Sequence, residues 1–159
     1  LKLNELARRF SGSELLEKAV LDLREFDRPV TVREFCEAAD AELVVGRGEY
    51  EENYIFGYTV VDSIRLVLDV PSQDYIKLYG MTTQRAAVFT KVHYGRSPMV
   101  AIKAMQAGMG RLKPALVVYH GTRKVDELGL EIARREKIPL AVSRIRTVEE
   151  LIERLRKIE

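Results

Sequence analysis

The 159-residue sequence has little of what several classes of protein require. It has one cysteine, Cys36, so it can form no internal disulfide, and it lacks the paired-cysteine motifs of zinc sites. A single cysteine is typical of a reducing compartment, and we expect a cytoplasmic location. No run approaches the roughly 18 apolar residues that cross a bilayer. Charges interrupt the first ten residues where a signal peptide would be apolar, so we expect neither membrane insertion nor secretion.

The sequence also lacks a large excess of either basic or acidic residues. The 26 basic and 24 acidic residues leave a net charge of +2. Proteins that bind nucleic acid usually concentrate basic residues on one surface, so this balance does not favour a nucleic-acid partner. Hydrophobic residues make up 47% of the chain. That content and this length predict one folded domain with a sizeable core.

Residues 1–30 are predicted to form an N-terminal helical segment that precedes a domain of residues 31–159. Apolar residues recur there at helical spacing, and Ser11 with Glu14 fits a capping box. Asp27-Arg28-Pro29 is expected to end the second helix. The residues predicted to face inward are Leu3, Leu6, Ala7, Phe10, Leu15, Leu16, Ala19, Val20 and Leu23.

The next segments are predicted to alternate between helices and strands. Thr31 and Glu34 form a second capping box, which predicts a short helix. Ala41–Val45 and Tyr54–Val61 are rich in β-branched and apolar residues and are predicted strands. Residues 63–70 fit either a strand or a helix. A short helix is predicted over Asp74–Tyr79.

From residue 86 the pattern repeats as strand followed by helix. The predicted strands are Ala86–Val92, Ala115–Tyr119 and Pro139–Val142, and the predicted helices begin at Ser97, Thr122 and Thr147. Strands that alternate with helices through short connections indicate a parallel sheet. The sequence therefore predicts an α/β fold, a single three-layer-like domain with a mostly parallel central sheet flanked by helices.

The two histidines occupy equivalent places. Each follows a buried strand and precedes a helix, and in a parallel sheet such loops lie at the carboxyl edge, where ligands bind. Helix N-termini, close-approaching glycines and arginine side chains suit an anion. We expect the two loops to form an anion site made of His93, Tyr94, Gly95, Arg96, Ser97, His120, Gly121, Thr122, Arg123 and Lys124.

Catalysis is not expected at these loops. Neither loop contains the carboxylate that usually orients a catalytic imidazole, and two histidines are too few for a typical metal site. The P-loop motif is absent, and no cofactor is predicted. Cys36 lies on an apolar helix face and is interpreted as inert core.

An alternative function is DNA binding through residues 4–39, which loosely match a helix-turn-helix arrangement. Acidic side chains would then lie near the phosphates: Asp22, Glu25, Asp27, Glu34 and Glu37. The competing interpretation is that these helices pack on the sheet or on a second subunit.

Residues 31–158 resemble the DRTGG domain, which is similar in fold to the N-terminal domain of HPr kinase/phosphorylase. Such domains also occur in phosphotransacetylases and in regulated pyrophosphatases. Gly95, Arg96 and Gly121 match residues of the name-giving motif. The resemblance follows the order of five segments: TVREFCEAADAELVVG, YIFGYTVVD, AAVFTKV, KPALVVYHG and KIPLAVSRIRTVEELIERL.

The resemblance implies a regulatory domain without catalytic machinery that associates in pairs. We therefore expect a homodimeric, ligand-sensing domain that binds an anionic metabolite or a nucleotide. Two alternatives remain: an oligomerisation or protein-interaction module without a small ligand, and a transcriptional regulator that uses the N-terminal helices.

Overall fold

The computed structural model describes residues 18–69, 84–92, 114–122 and 124–159. In these ranges six strands and four helices follow one another. In chain order they are β1 (Val20–Thr31), α1 (Val32–Ala38), β2 (Ala41–Val45), β3 (Tyr54–Asp62), α2 (Ser63–Asp69), β4 (Arg85–Thr90), β5 (Leu116–His120), α3 (Glu127–Glu136), β6 (Leu140–Ser143) and α4 (Val148–Arg156).

The six strands form one sheet in the order β1-β3-β4-β5-β6-β2. The inner strands β3, β4, β5 and β6 are parallel, whereas the edge strands β1 and β2 run antiparallel to β3 and β6. The predicted α/β class is confirmed, but the prediction of a mostly parallel sheet is wrong because the sheet is mixed. Both edge strands are partly exposed, and antiparallel strands tolerate solvent on one face better than parallel strands do.

Helices cover both faces of the sheet, which makes three layers. On one face, Leu66 of α2 and Ala133 of α3 pack with Phe89 and Tyr119 of the sheet. On the other face, α1 and α4 pack with Tyr58, and their buried residues include Phe35 and Leu151. All these side chains are almost fully buried, so the chain has a hydrophobic core on each side of the sheet.

The prediction of a helical segment over residues 1–30 fails over residues 20–30, which lie in β1. This strand pairs with β3 through Val20↔Val61 and Leu23↔Thr59. The buried residues Val20 and Leu23 are spaced as a helix would space them, but an irregularity in the pairing brings them to the same core. Backbone pairing with β3 decides the conformation. The proposed capping box at Ser11 lies outside the described residues.

The capping box at Thr31 is confirmed. The Glu34 N–H donates to Thr31 Oγ1 at 3.1 Å, and the Thr31 N–H donates to Glu34 Oε1 at 3.4 Å. The ambiguous segment is helical over Ser63–Asp69. The helices predicted at Asp74 and Ser97 lie outside the described residues.

The predicted start of α3 at Thr122 is wrong. The N-cap is Asp126, whose carboxylate accepts from the Leu128 N–H at 2.9 Å. The Thr122 hydroxyl instead donates to the Lys124 carbonyl at 2.8 Å, and this local bond holds a loop between β5 and the helix. The Thr147 cap of α4 is confirmed, because Thr147 Oγ1 accepts from the Glu150 N–H at 3.1 Å.

Candidate functional site

A cleft of about 800 Å³ opens at the carboxyl ends of β5 and β6. The loop after β5, the loop after β6, one side of α3 and part of the edge strand β2 form its walls. Its lining residues are Glu42, Val44, His120, Gly121, Thr122, Lys124, Val125, Glu127, Leu130, Val142, Ser143, Arg144, Ile145 and Arg146.

The first residues after β4, Lys91 and Val92, lie against the end of β5 and the residue that follows it. Phe89 and Tyr119 are partners in the parallel pairing of these strands, and the Val92 N–H donates to the His120 carbonyl at 3.0 Å. Gly121 has a φ of +99°, and a Cβ placed there would lie 3.3 Å from Lys91 Cα and from Val92 N. Glycine is therefore required at this position both by the backbone conformation and by the neighbouring loop.

His120 is buried at the floor of the site, with 6% of its surface exposed. Its Nε2 lies 2.9 Å from the carbonyl oxygen of Ile145. Because a carbonyl oxygen only accepts, Nε2 must carry the hydrogen. The other ring nitrogen, Nδ1, is buried and has no hydrogen-bond partner among the described residues. Buried polar atoms without partners are rare, so Nδ1 has an acceptor site that the described part of the protein does not use.

His120 belongs to a row of buried polar side chains that crosses the four parallel strands. Asp62 pairs with Thr90 in register, and His120 pairs with Ser143. Since Phe89 and Tyr119 are paired, Thr90 and His120 come next to each other. The row thus lies at the carboxyl ends of β3, β4, β5 and β6, at the edge where ligands bind in open α/β sheets.

Five charged side chains line the cleft, and one of them is the exposed carboxylate of Glu127 at the start of α3. Lys124 and Arg146 are exposed, and within the described residues neither has an ion-pair partner. Arg144 forms an ion pair with Glu42, and Glu42 also pairs with Arg47 at 2.6 Å. Hydrogen bonds from Arg47 and Arg144 lower the pKa of Glu42. The described part of the cleft therefore has two cations without an ion-pair partner, one carboxylate that two arginines neutralise, and the exposed carboxylate of Glu127.

Four of the predicted site residues line this cleft: His120, Gly121, Thr122 and Lys124. The other six lie outside the described residues: His93, Tyr94, Gly95, Arg96, Ser97 and Arg123. Four charged residues of the cleft were not predicted from the sequence: Glu42, Glu127, Arg144 and Arg146. Arg144 and Arg146 follow β6, the third strand of the repeating pattern, so the rule that selected the first two loops would also have selected this one.

The geometry does not favour acid–base chemistry. Asp62 lies two strands from His120, about 10 Å at ordinary strand spacing, which is too far for a hydrogen bond. The Ser143 hydroxyl donates to the Ala39 carbonyl at 2.6 Å and is not directed to the imidazole. Burial raises the pKa of Cys36 to about 12, with smaller effects from Glu51 and Glu37, so its thiol is unreactive at neutral pH.

The described part of the chain contains no group of three or more histidine, cysteine, aspartate or glutamate side chains placed to hold a metal ion. None of its helices combines the length and the apolar character that crossing a membrane requires.

No family model matches the sequence. Over 144 residues, 89% of this chain, it is 41% identical to a Methanocaldococcus jannaschii protein named an uncharacterised HTH-type transcriptional regulator. Over 142 residues, 88% of the chain, it is 40% identical to an Archaeoglobus fulgidus protein of the same description. The chain spans 56% and 58% of the length of these two relatives.

One similar solved structure contains the CBS and DRTGG domains of the regulatory region of Clostridium perfringens pyrophosphatase, complexed with its activator diadenosine tetraphosphate. It superimposes with a TM-score of 0.48 at 13% sequence identity, over 98% of this chain and 50% of that one.

Proposed function

We propose that this chain is a non-catalytic regulatory domain that senses an anionic metabolite, with nucleotides among the candidates, in the cleft beside His120. The observation that carries the proposal is the combination of a buried, half-satisfied imidazole with two exposed cations. Lys124 and Arg146 have no ion-pair partner among the described residues, so they can bind an anion without first breaking a protein contact.

The apolar part of the lining supports a ligand larger than a bare ion. Val125, Leu130 and Val142 line the same cleft as Lys124 and Arg146. Small-molecule sites typically combine an apolar wall with a few polar groups that fix orientation. A phosphorylated metabolite with an apolar or planar part matches this combination.

The regulatory role is supported by the two relatives, because both are named as transcriptional regulators. The described residues favour sensing over DNA contact. The helix-turn-helix arrangement considered for residues 4–39 loses residues 20–31 to strand β1, and α1 buries Val32, Phe35 and Cys36. In such a regulator this domain would bind the effector.

Membership of the DRTGG type and association in pairs belong to the same proposal. Their support is the order of strands and helices along residues 31–158, which follows the resemblance found in the sequence. A sedimentation measurement on the purified chain tests the pairing directly.

The test measures the binding of inorganic phosphate and of a panel of nucleotides. Calorimetry and thermal unfolding both serve as readouts of binding. A ligand that binds only the folded state raises the melting temperature as its concentration passes Kd. The double variant Lys124→Gln/Arg146→Gln should weaken phosphate binding roughly 2- to 30-fold, since each exposed charge contributes about 0.2–1 kcal/mol. Arg135→Gln on α3 is the matched control, because Arg135 pairs with Glu131 outside the cleft.

The proposal fails if no anion raises the melting temperature at millimolar concentration.

One observation favours the alternative of an assembly module: Ile64 and Leu68, four residues apart on α2, are 44% and 76% exposed. If that alternative holds, the cleft variants should change nothing, and Leu68→Ser should alter the sedimentation coefficient.

A further inference from the structure

We propose that His120 uses one ring nitrogen for structure and the other for recognition, so that the ligand of the cleft is an oxyanion that also donates a hydrogen bond to Nδ1. This inference rests on the proposed function of the cleft. It narrows the ligand class, because an anion that only accepts hydrogen bonds would leave the Nδ1 lone pair of the neutral imidazole unsatisfied.

The assignment of the two nitrogens follows from the Ile145 carbonyl. Nε2 lies 2.9 Å from that oxygen and must donate to it. In the neutral imidazole the hydrogen is then used, and Nδ1 presents a lone pair. A lone pair needs a donor, which is what a hydroxyl, an amine or a protonated phosphate oxygen supplies.

The neighbours of His120 in the polar row do not supply this donor. The Thr90 hydroxyl donates to the Val61 carbonyl at 3.0 Å. The Ser143 hydroxyl donates to the Ala39 carbonyl at 2.6 Å and accepts from the Ile145 N–H at 3.3 Å. Both hydroxyl hydrogens are therefore committed to backbone oxygens, and the row leaves the imidazole unsatisfied.

The position of the unsatisfied atoms points to the same edge of the sheet. Among the described residues two buried side-chain atoms have no hydrogen-bond partner, His120 Nδ1 and Ser63 Oγ. Ser63 directly follows β3, and His120 ends β5. Both therefore lie at the carboxyl ends of parallel strands, the edge at which the cleft opens.

Two pairs of probes separate the possible sources of the donor. At about pH 8, inorganic phosphate and sulfate are both tetrahedral dianions, but only phosphate retains an O–H group. Methyl phosphate and ribose 5-phosphate are both dianionic esters, and only the second carries hydroxyls. A preference within the first pair places the donor on the anion, and a preference within the second pair places it on the organic part.

Two substitutions of His120 separate its two roles. In His120→Gln the carboxamide nitrogen takes the place of Nε2, so the bond to Ile145 is kept and the Nδ1 acceptor is lost. In His120→Asn the carboxamide takes the place of the Nδ1 side of the ring, so the acceptor is kept and the bond to Ile145 is lost. Calorimetry with the four probes and thermal unfolding are measured on both variants and on the wild type.

We expect the wild type to prefer the donor-bearing member of at least one pair roughly tenfold, the effect of satisfying one buried acceptor. His120→Gln should abolish that preference while the melting temperature changes little. His120→Asn should keep it with a lowered melting temperature. The inference is overturned if the wild type binds both members of each pair equally, or if His120→Gln keeps the preference; anion binding itself then still supports the proposed function. Absence of binding by all four probes overturns both.

Discussion

The inner strands of the sheet bury polar side chains at both ends, and the two ends differ in how completely these side chains are satisfied. At the amino end of β4, Arg85 is 1% exposed. Its Nε donates to Thr59 Oγ1 at 2.8 Å, and its Nη2 donates to the carbonyls of Tyr58 at 2.7 Å and Arg24 at 3.3 Å. Its Nη1 pairs with Glu25. Every nitrogen of this guanidinium has a partner within the protein.

At the carboxyl end, His120 is buried to a similar degree but has a partner for one nitrogen only. The contrast separates two uses of a buried polar group. A group whose hydrogen bonds all return to the protein holds strands together, whereas a group with an unused bond is available to a ligand. Burial alone does not distinguish them. Burial lowers the pKa of Arg85 to about 10, yet the residue stays charged at neutral pH and is structural.

The largest effect on stability is expected from Gly57→Ala, which disturbs the amino end of the inner strands, where Arg85 has all its hydrogen-bond partners. Gly57 pairs with Arg85 across the parallel strands, and a Cβ there would lie 2.7 Å from the Arg24 carbonyl and 2.7 Å from Arg85 Nη1. We expect a loss of about 3 kcal/mol in the free energy of unfolding, because a buried charge would be moved away from its partners. Denaturant unfolding measures it.

The control for this prediction is Gly48→Ala. A Cβ at Gly48 meets nothing within 4 Å, and the cost comes from the backbone φ of +81° alone. About 1 kcal/mol is expected there. Equal losses for the two variants would show that the close packing around the Arg85 guanidinium contributes nothing to stability.

A smaller effect is expected from Tyr58→Phe. The Tyr58 hydroxyl donates to Asp22 Oδ2 at 2.8 Å, and Arg156 Nε donates to the same oxygen at 3.1 Å. Loss of one buried hydrogen bond should cost about 1 kcal/mol at neutral pH. Urea unfolding provides the measurement, with Tyr54→Phe as the control because Tyr54 is 56% exposed.

The same residue predicts the alkaline limit of stability. Burial, and next the charge of Asp22, raise the pKa of Tyr58 well above the ordinary 10.0. A raised pKa in the folded state favours the neutral phenol, so its contribution is full below about pH 10 and is lost as the pH rises further. The wild type should lose up to about 1.4 kcal/mol per pH unit above pH 10 from this group. Tyr58→Phe should lack that part of the slope; an unchanged slope would contradict the assignment.

The inner strands could be predicted from the sequence because each is a continuous apolar run. The inner strand predicted at Ala115–Tyr119 is shifted by one residue to Leu116–His120, and the edge strand β2 also matches its predicted bounds, Ala41–Val45. Strand β1 could not be predicted in this way. Its residues pair with β3 residues far along the chain, from Thr31↔Tyr54 to Val20↔Val61, and the local spacing of Val20 and Leu23 also fits a helix.

The site was predictable to the extent that it follows from strand order. His120, Gly121, Thr122 and Lys124 were found because the loops of parallel strands share an edge. The contact between Glu42 and Arg144 could not be predicted from strand order. It joins residues 102 positions apart, and it depends on β2 pairing antiparallel with β6 at the far edge of the sheet. Nothing in the local sequence of either residue indicates the other.

The smallest effect on stability is expected from Glu42→Gln, in the cleft at the carboxyl end of the sheet. The Glu42 and Arg144 side chains are 46% and 68% exposed, so their ion pair contributes little to folding. A bound anion competes with this carboxylate for Arg144. We therefore expect no measurable change in stability but roughly two- to fivefold tighter phosphate binding, and this gain should diminish as salt screens the charges. Calorimetry at low and high salt measures the gain, and Glu131→Gln on α3 should produce none. Weaker phosphate binding would mean that Glu42 holds Arg144 in position for the ligand. The protein would then pre-organise the carboxyl end of the sheet, as it does the amino end around Arg85.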